Sequence, residues 1–363
     1  MEFSEYLACD GIALAQRVRS GKTTARELAE TAFGAADGLN PQLNCIVETY
    51  PERANGLDAV QPSDGPLADV PILIEDLGVR DEGAVCGRGS RLASGLCAPT
   101  NSDFMVRFRR AGLVNLGRTA TPEFGYSCSA ESEMNGKTRN PWDTDRMAGG
   151  GGGSAAAVAA GIVPIAHTNG AFGSIQVSAA CCGLFGLKPT RGRVPPGPDD
   201  DALFGMAVDH VVTRSVRDSA AVLDAGSLSA PSRPFLDELA RPPGKLRIAL
   251  ADMSWSGVWV DPECVQKVQR AADLCRQLGH NVEDALFDVD FGPFRQAMID
   301  AWSLAIVRWV NDLAAATGRT PGPDNLEAIT LSIYQHGLLL PASKAAEVTA
   351  IFENPSQNTH KIS

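Results

Sequence analysis

The sequence lacks the charge pattern of a nucleic-acid-binding protein. Its 43 acidic residues outnumber its 32 basic residues, the formal net charge is −11, and no run of five basic residues occurs. An acidic chain without a basic patch repels the phosphate backbone of nucleic acids. We therefore expect no nucleic-acid partner.

The sequence also lacks a segment that would carry it into or across a membrane. Its first residues, MEFSE, are acidic and contain no apolar stretch of the kind found in secretory signals. The longest stretch of small and apolar residues, 155–166, is interrupted by Gly161 and Pro164 and is too short to span a bilayer. We expect a cytoplasmic protein with no membrane association.

Metal-binding and disulfide patterns are absent as well. The nine cysteines are an odd number, and no two of them have the Cys-x-x-Cys spacing of zinc sites. Cys181 and Cys182 are adjacent and poorly placed to bond each other. Reduced thiols in the core are the expected state for a chain of this length. We predict neither a metal nor a cofactor.

What the sequence does contain is a glycine-rich stretch in its middle. Five successive glycines occupy residues 149–153, and small residues follow as far as residue 160. Glycines at this density allow positive φ angles or a close approach of the backbone. Ser154 is a candidate helix N-cap, and a glycine loop before a helix leaves backbone amides free to donate. A second loop, residues 168–174, ends in Ser174, a pattern that predicts a nucleophile beside an oxyanion hole.

These residues resemble the signature of the amidase-signature family, which consists of serine hydrolases that cleave C–N bonds. The resemblance is carried by residues 154–193, SAAAVAAGIVPIAHTNGAFGSIQVSAACCGLFGLKPTRGR. Further matches follow the family order at residues 70–78, 118–125, 138–142 and 213–218. The resemblance covers residues 10–280 and implies an α/β fold, a mixed β-sheet surrounded by helices.

The resemblance also implies a catalytic unit, of which this sequence keeps one residue type. The family uses a lysine, a serine preceded by a cis peptide bond, and a nucleophilic serine. Here Glu75 stands at the lysine position and Gly150 at the cis-serine position, whereas Ser174 keeps the nucleophile. The implied oxyanion donors are the amides of Ala171, Phe172 and Gly173, and the implied binding residues are Gly149 and Gly151.

Two interpretations of Glu75 remain open from the sequence. Glu75 is either a replacement base with a raised pKa that acts on Ser174 through a water, or a carboxylate held by the amides of the glycine loop. The second interpretation predicts a lowered pKa and favours loss of activity. Gly170 and Gln176 also favour loss of activity, because the family usually has an aspartate and an arginine at these two positions.

We therefore expect a protein of amidase lineage with impaired catalysis. The alternatives are an active amidase or esterase that uses Ser174 with Glu75, and a non-catalytic binding or regulatory relative. The expected partner is a small-molecule amide or acyl compound, and a homodimer is left open. His167, seven residues before Ser174, is an alternative base.

The predicted organisation is one structural domain in three parts. Residues 1–65 form an N-terminal helical segment, residues 66–230 the amidase-signature core, and residues 231–363 a C-terminal lobe that is incomplete relative to the family. Helix caps are expected at Thr24 and Asp261, and a further helix is expected from about Asp10 to Arg19. Residues 246–285 predict a strand–helix–strand unit, whose helix presents one apolar face: Val265, Val268, Ala272, Cys275 and Leu278.

Overall fold

The computed structural model describes residues 1–57, 65–196, 203–254, 256–285 and 291–353. The chain divides into two compact units. The first consists of Met1–Leu239 and Ala305–Gln335, and the second of Ala240–Leu304 and His336–Ser363.

The helices are distributed along the whole chain. They are α1 (Phe3–Leu7), α2 (Gly11–Arg19), α3 (Ala25–Leu43), α4 (Asp103–Arg110), α5 (Gly152–Ala159), α6 (Ser174–Cys182), α7 (Val216–Gly226), α8 (Phe235–Glu238), α9 (Pro262–Gln277), α10 (Phe291–Thr317), α11 (Ala328–Leu338) and α12 (Lys344–Glu353). Within the described residues, no helix is long and apolar enough to cross a membrane.

The strands are short and belong to four sheets. They are β1 (Ile46–Thr49), β2 (Pro71–Glu75), β3 (Val114–Thr119), β4 (Glu131–Ser132), β5 (Gly136–Lys137), β6 (Arg139–Asn140), β7 (Asp143–Met147), β8 (Ile165–Gly170), β9 (Phe185–Gly186), β10 (Val208–Thr213), β11 (Arg247–Leu250) and β12 (Asn281–Asp284).

A mixed six-stranded sheet organises the first unit, in the order β1-β3-β2-β8-β10-β9. Strand β2 runs parallel to β3 and β8, whereas β10 runs antiparallel to β8 and β9. Apolar side chains cover both faces. Leu73 packs in one cluster with helices α3, α5 and α6, while Ile72 and Ile74 pack in another with α4 and α7. The predicted mixed sheet surrounded by helices is confirmed.

Helix caps in both units follow the sequence pattern. Asp10 accepts a hydrogen bond from Ala13 N at the start of α2. Thr24 and Glu27 form the predicted capping box of α3, and Asp261 caps α9. Each cap satisfies backbone amides that have no partner inside the helix. The predictions at Thr24 and Asp261 are confirmed, whereas the predicted N-cap at Ser154 is wrong. Helix α5 already begins at Gly152, and the Ser154 hydroxyl donates to the carbonyl oxygen of His167 instead.

The second unit contains the predicted strand–helix–strand arrangement. Strands β11 and β12 pair in parallel and are joined through α9. The apolar side of α9 is only partly covered, because Ala272 is buried whereas Val268 and Leu278 are exposed. The polar C-terminal residues 354–363 lie outside the described part of the chain.

Candidate active site

Glu75 is the last residue of β2 and lies on the face of the sheet that carries α5 and α6. Side chains alternate along a strand, so Glu75 follows Leu73 to that face while Ile74 points to the other. Its side chain is buried, with 1% of the residue exposed. Oε2 accepts hydrogen bonds from Thr168 Oγ1 at 2.8 Å and from Asn169 N at 2.7 Å.

The position of these partners corrects one interpretation of Glu75. The donors belong to β8, and the amides of the glycine loop are not among them. Burial, with a smaller contribution from the negative charge of Asp209, raises the pKa of Glu75 to about 7. The bonds from Asn169 and Thr168 lower the pKa only in part. The prediction that glycine-loop amides hold Glu75 and lower its pKa is therefore wrong.

Gly150 lies directly beside the Ser174 hydroxyl. A Cβ atom added at Gly150 would lie 3.3 Å from Ser174 Oγ and 3.0 Å from the carbonyl oxygen of Ser127. A side chain at residue 150 would therefore touch the hydroxyl. The family pattern places residues 150 and 174 in one catalytic unit, and the two residues are neighbours in the fold.

Gly149 and Gly151 are glycines for steric reasons. A Cβ atom at Gly149, where φ is +91°, would lie 2.6 Å from Ser178 Cα. A Cβ atom at Gly151 would overlap Thr168 Oγ1 and lie 3.2 Å from Ser174 O. Neither position can carry a side chain without a shift of its neighbours. Both glycines thus let the segment before α5 approach β8 and α6.

Ser174 begins α6, with Gly173 as its N-cap. Its Oγ donates a long hydrogen bond of 3.4 Å to the carbonyl oxygen of Ala171. In the described residues, no carboxylate, imidazole or amine accepts a hydrogen bond from this hydroxyl. A serine hydroxyl needs an adjacent base to become a strong nucleophile.

The three residues before Ser174 form a strained turn. Phe172 has a φ of 54° and Gly173 a φ of 115°. Positive φ is uncommon for a residue with a side chain and costs about 1 kcal/mol or more at Phe172. Such strain concentrates at functional sites. The turn leads the backbone of Ala171, Phe172 and Gly173, the predicted oxyanion donors, into the first turn of α6.

Packing leaves little room for a side chain at Gly170, one of the two positions, with Gln176, at which the family pattern usually has a charged residue. A Cβ atom at Gly170 would lie 2.5 Å from Ile175 Cδ1. Gln176 is exposed on α6. Ile175 therefore fills the space into which a larger residue at position 170 would extend.

His167 lies away from Ser174 on the opposite face of the sheet. Its ring is buried edge-on against Phe104 and Phe108, and its Nε2 pairs with Asp209 Oδ1 at 3.1 Å. Neighbouring residues of β8 point to opposite faces, which separates His167 from Thr168. The structure gives no contact between His167 and Ser174, so His167 is not positioned as its base.

Three residues of the site could not be found from the sequence pattern. Thr168 and Asn169 bind Glu75, and the Asn169 side chain donates to Asp209 Oδ1 at 2.8 Å. Asp209 comes from β10, which pairs with β8 in the register Asp209↔Asn169. The only sequence signal was the alternation along residues 165–170, which predicts that Thr168 shares a face with Ala166.

Asp76, directly after Glu75, holds the following loop. Its buried carboxylate accepts hydrogen bonds from Gly87 N at 2.8 Å and Gly89 N at 3.2 Å. Arg118, only 1% exposed, pairs with it at 3.2 Å and also donates to Val79 O. This ion pair fixes the end of β2 and hence the position of Glu75.

Known proteins resemble the chain over most of its length. A family model described as Amidase matches residues 27–344. The 6-aminohexanoate-cyclic-dimer hydrolase of Paenarthrobacter ureafaciens is 40% identical over 292 residues, which are 76% of this chain and 59% of that protein. The 6-aminohexanoate-cyclic-dimer hydrolase of Pseudomonas sp. (strain NK87) is 37% identical over 335 residues, which are 88% of this chain and 68% of that protein.

The structural likeness agrees with the sequence likeness. A solved structure of 6-aminohexanoate cyclic dimer hydrolase matches with a TM-score of 0.90 and 33% identity, over 97% of this chain and 76% of that chain. The chain spans less than two thirds of the length of the Paenarthrobacter relative. The family model, the identities and the shared fold together establish that the chain belongs to the amidase-signature family of hydrolases.

Proposed function

We propose that this chain binds a small-molecule amide or acyl compound at Ser174 but hydrolyses amides only weakly. The relatives named above act on the cyclic dimer of 6-aminohexanoate, according to their names, and we take this compound as the first ligand to test. In this proposal Ser174 is the residual nucleophile. The amides of Ala171, Phe172 and Gly173 donate hydrogen bonds to the acyl oxygen, and Gly149 and Gly151 contribute to the binding of the ligand.

One observation carries the proposal: within the part of the chain that the structure describes, the Ser174 hydroxyl donates only to the Ala171 carbonyl oxygen, at 3.4 Å, and to no basic group. Gly150 offers no hydroxyl to relay a proton, and Glu75 directs Oε2 to Thr168 and Asn169. Removing members of a catalytic unit that works together costs about 10⁶ in rate and leaves about 10³ from binding and the oxyanion hole. We therefore expect binding to survive and turnover to be low.

Restoring the missing groups tests the proposal. The double substitution Glu75→Lys with Gly150→Ser should raise the rate of amide hydrolysis by about 10³ or more. Residue 150 accepts a Cβ atom 3.3 Å from Ser174 Oγ, so the new hydroxyl can reach that oxygen. Hydrolysis is measured on the cyclic dimer, an aryl amide and a short-chain ester.

The matched control adds Ser174→Ala to the double substitution, which should remove the gain. Binding is measured separately, by calorimetry with the cyclic dimer and the unsubstituted chain. Rapid Ser174-dependent amide hydrolysis by the unsubstituted chain would refute the proposal. Absence of any ligand binding would refute the part of the proposal that assigns a binding site to Ser174.

A second candidate function is supported by the raised pKa of Glu75, about 7. A carboxyl with this pKa can accept a proton near neutral pH, through a water in the space beside Gly150. Ser174 would then hydrolyse an activated ester or small amide. Labelling by a fluorophosphonate probe should be lost in Ser174→Ala and in Glu75→Gln. Labelling that persists in Glu75→Gln would exclude Glu75 as the base.

A further inference from the structure

The turn that follows β9 carries three cations, Lys188, Arg191 and Arg193. Arg193 lies over the ring of Phe235, 5.5 Å from the ring centre. Lys188 and Arg191 have no charged partner: in the part of the chain that the structure describes, neither forms an ion pair with a carboxylate. Lys188 is half-buried and Arg191 is exposed. These two residues are here called the basic turn pair.

The two positive charges of the basic turn pair lie close together. Burial and, to a smaller extent, the positive charge of Arg191 lower the pKa of Lys188. Lys188 Nζ donates to the carbonyl oxygen of Pro189 at 2.8 Å, and Arg191 Nη2 lies 3.4 Å from Met206 Sδ. Both partners are neutral, and a thioether sulfur is a weak acceptor. Two neighbouring like charges favour the binding of an anion, because the anion offsets their repulsion.

The basic turn pair lies at the end of the sheet from which the chain leaves for Ser174. Strands β8 and β9 both run antiparallel to β10, so their carboxyl ends point the same way. Arg191 packs against Gly205, where an added Cβ atom would lie 2.8 Å from Arg191 Cδ. Gly205 comes three residues before Val208, which pairs with Gly170 at the end of β8. Three residues span at most about 10 Å, so Arg191 lies near the turn that leads to Ser174.

We propose that the basic turn pair binds a carboxylate on the ligand of Ser174, so that the site prefers amides with a second, acidic end. This inference rests on the proposed function, because it assigns a class of ligand to the same site. A carboxylate accepts two hydrogen bonds from the fork of an arginine, and a neighbouring lysine adds a further donor and charge. A ligand with five methylene groups between its amide nitrogen and its carboxylate spans about 8 Å, comparable to the three-residue separation.

Calorimetry with a matched pair of ligands tests the proposal. N-acetyl-6-aminohexanoate and N-acetyl-6-aminohexanamide differ only in the carboxylate, and each is titrated into the unsubstituted chain at low salt. The carboxylate should bind about 10 to 100 times more tightly than the carboxamide. This preference should shrink at about 0.5 M salt, because salt screens the charge of an exposed arginine. Equal affinities of the two ligands at low salt would overturn the proposal.

Substitutions assign the preference to the basic turn pair. Arg191→Gln should bring the two affinities to within about threefold of each other, whereas Arg191→Lys should keep part of the preference because it keeps the charge. Lys188→Gln should reduce the preference as well. Arg110→Gln is the matched control and should leave the preference unchanged. Arg110 is also an exposed arginine, but it ends α4 on the opposite face of the sheet.

The cyclic dimer of 6-aminohexanoate, which has no carboxylate, separates this test from that of the proposed function. Binding of the cyclic dimer without any preference between the two linear amides would overturn the role of the basic turn pair alone. If none of the three compounds binds, both proposals are refuted. Asp199, Asp200 and Asp201 lie outside the described residues. If Arg191 pairs only with these acids, Arg191→Gln will leave the preference unchanged, and that result would also overturn the proposal.

Discussion

Thr168 donates a 2.8 Å hydrogen bond to Glu75, and the same hydroxyl occupies the space of a side chain at residue 151. One oxygen thereby holds the carboxyl in place and disfavours every residue but glycine at residue 151, the N-cap of α5. Glu75 and the glycine at residue 151 are thus physically coupled through Thr168.

This coupling predicts different tolerances at two adjacent glycines. Gly151→Ala should lower the free energy of unfolding by about 2–3 kcal/mol, because its Cβ atom overlaps Thr168 Oγ1. Gly150→Ala should cost about 1 kcal/mol, since its closest contact is 3.0 Å from Ser127 O. Urea denaturation of the two variants measures the difference.

A double-mutant cycle identifies the cause. Thr168→Ala removes the obstructing hydroxyl, so Gly151→Ala should cost less in that background, by about 1 kcal/mol or more. Gly150→Ala in the same background serves as the control and should be unaffected. Strict additivity of Gly151→Ala and Thr168→Ala would show that the steric argument is wrong.

The raised pKa of Glu75 predicts a pH-dependent loss of stability. The folded pKa is about 7 against 4.5 for an exposed glutamate, so the folded chain binds more protons than the unfolded chain between these values. Stability contributed by this group therefore falls as pH rises from about 4.5 to 7 and stays lost above that range. Asp209 is the charged group that acts on Glu75, and it raises the same pKa.

Glu75→Gln removes this dependence. Relative to the unsubstituted chain, the variant should gain about 3 kcal/mol of stability between about pH 5 and about pH 8. Urea denaturation of both proteins across this range gives the difference directly. Stability curves that run parallel across the range would mean that Glu75 titrates normally.

The buried ion pair between Asp76 and Arg118 should be a major element of stability. Asp76→Ala leaves Arg118 charged and buried and also frees the amides of Gly87 and Gly89. The expected loss is about 3–5 kcal/mol, measured by chemical denaturation. Glu30→Ala, which breaks the exposed pair with Arg26, is the control and should cost at most about 1 kcal/mol. A similar cost for both variants would contradict the argument.

Packing at Ile175 predicts that the family's aspartate cannot simply be put back at residue 170. Gly170→Asp should destabilise the chain by about 2–3 kcal/mol, because its Cβ atom would lie 2.5 Å from Ile175 Cδ1. Ile175→Val in combination should recover part of that loss. Thermal denaturation of the single and double variants checks this, and a fully stable Gly170→Asp would disprove it.

Much of the fold could be predicted because its signals are local. The caps at Thr24 and Asp261 are read from a few adjacent residues, and a buried strand such as β2 can be read from its apolar run. Strand β7 could not be found this way. Its residues are all exposed, so they show no apolar alternation.

The site itself was predictable in position but not in contacts. The match to the family pattern pairs Gly150 with Ser174, and a Cβ atom at Gly150 would lie 3.3 Å from Ser174 Oγ in the fold. The partners of Glu75 depend on which strands become neighbours in the sheet, and Thr168 lies 93 residues further along the chain. Burial, which decides the direction of the pKa shift, is likewise a property of the folded chain.

The overlap between Thr168 and residue 151 also sets the order in which side chains can be introduced before α5. A side chain at residue 150 needs only a small shift of Ser127, but residue 151 becomes available only after Thr168 has been replaced by a smaller residue. That replacement in turn takes a donor from Glu75. A side chain at residue 151 therefore has to be preceded by a substitution in β8, and that substitution changes the surroundings of Glu75.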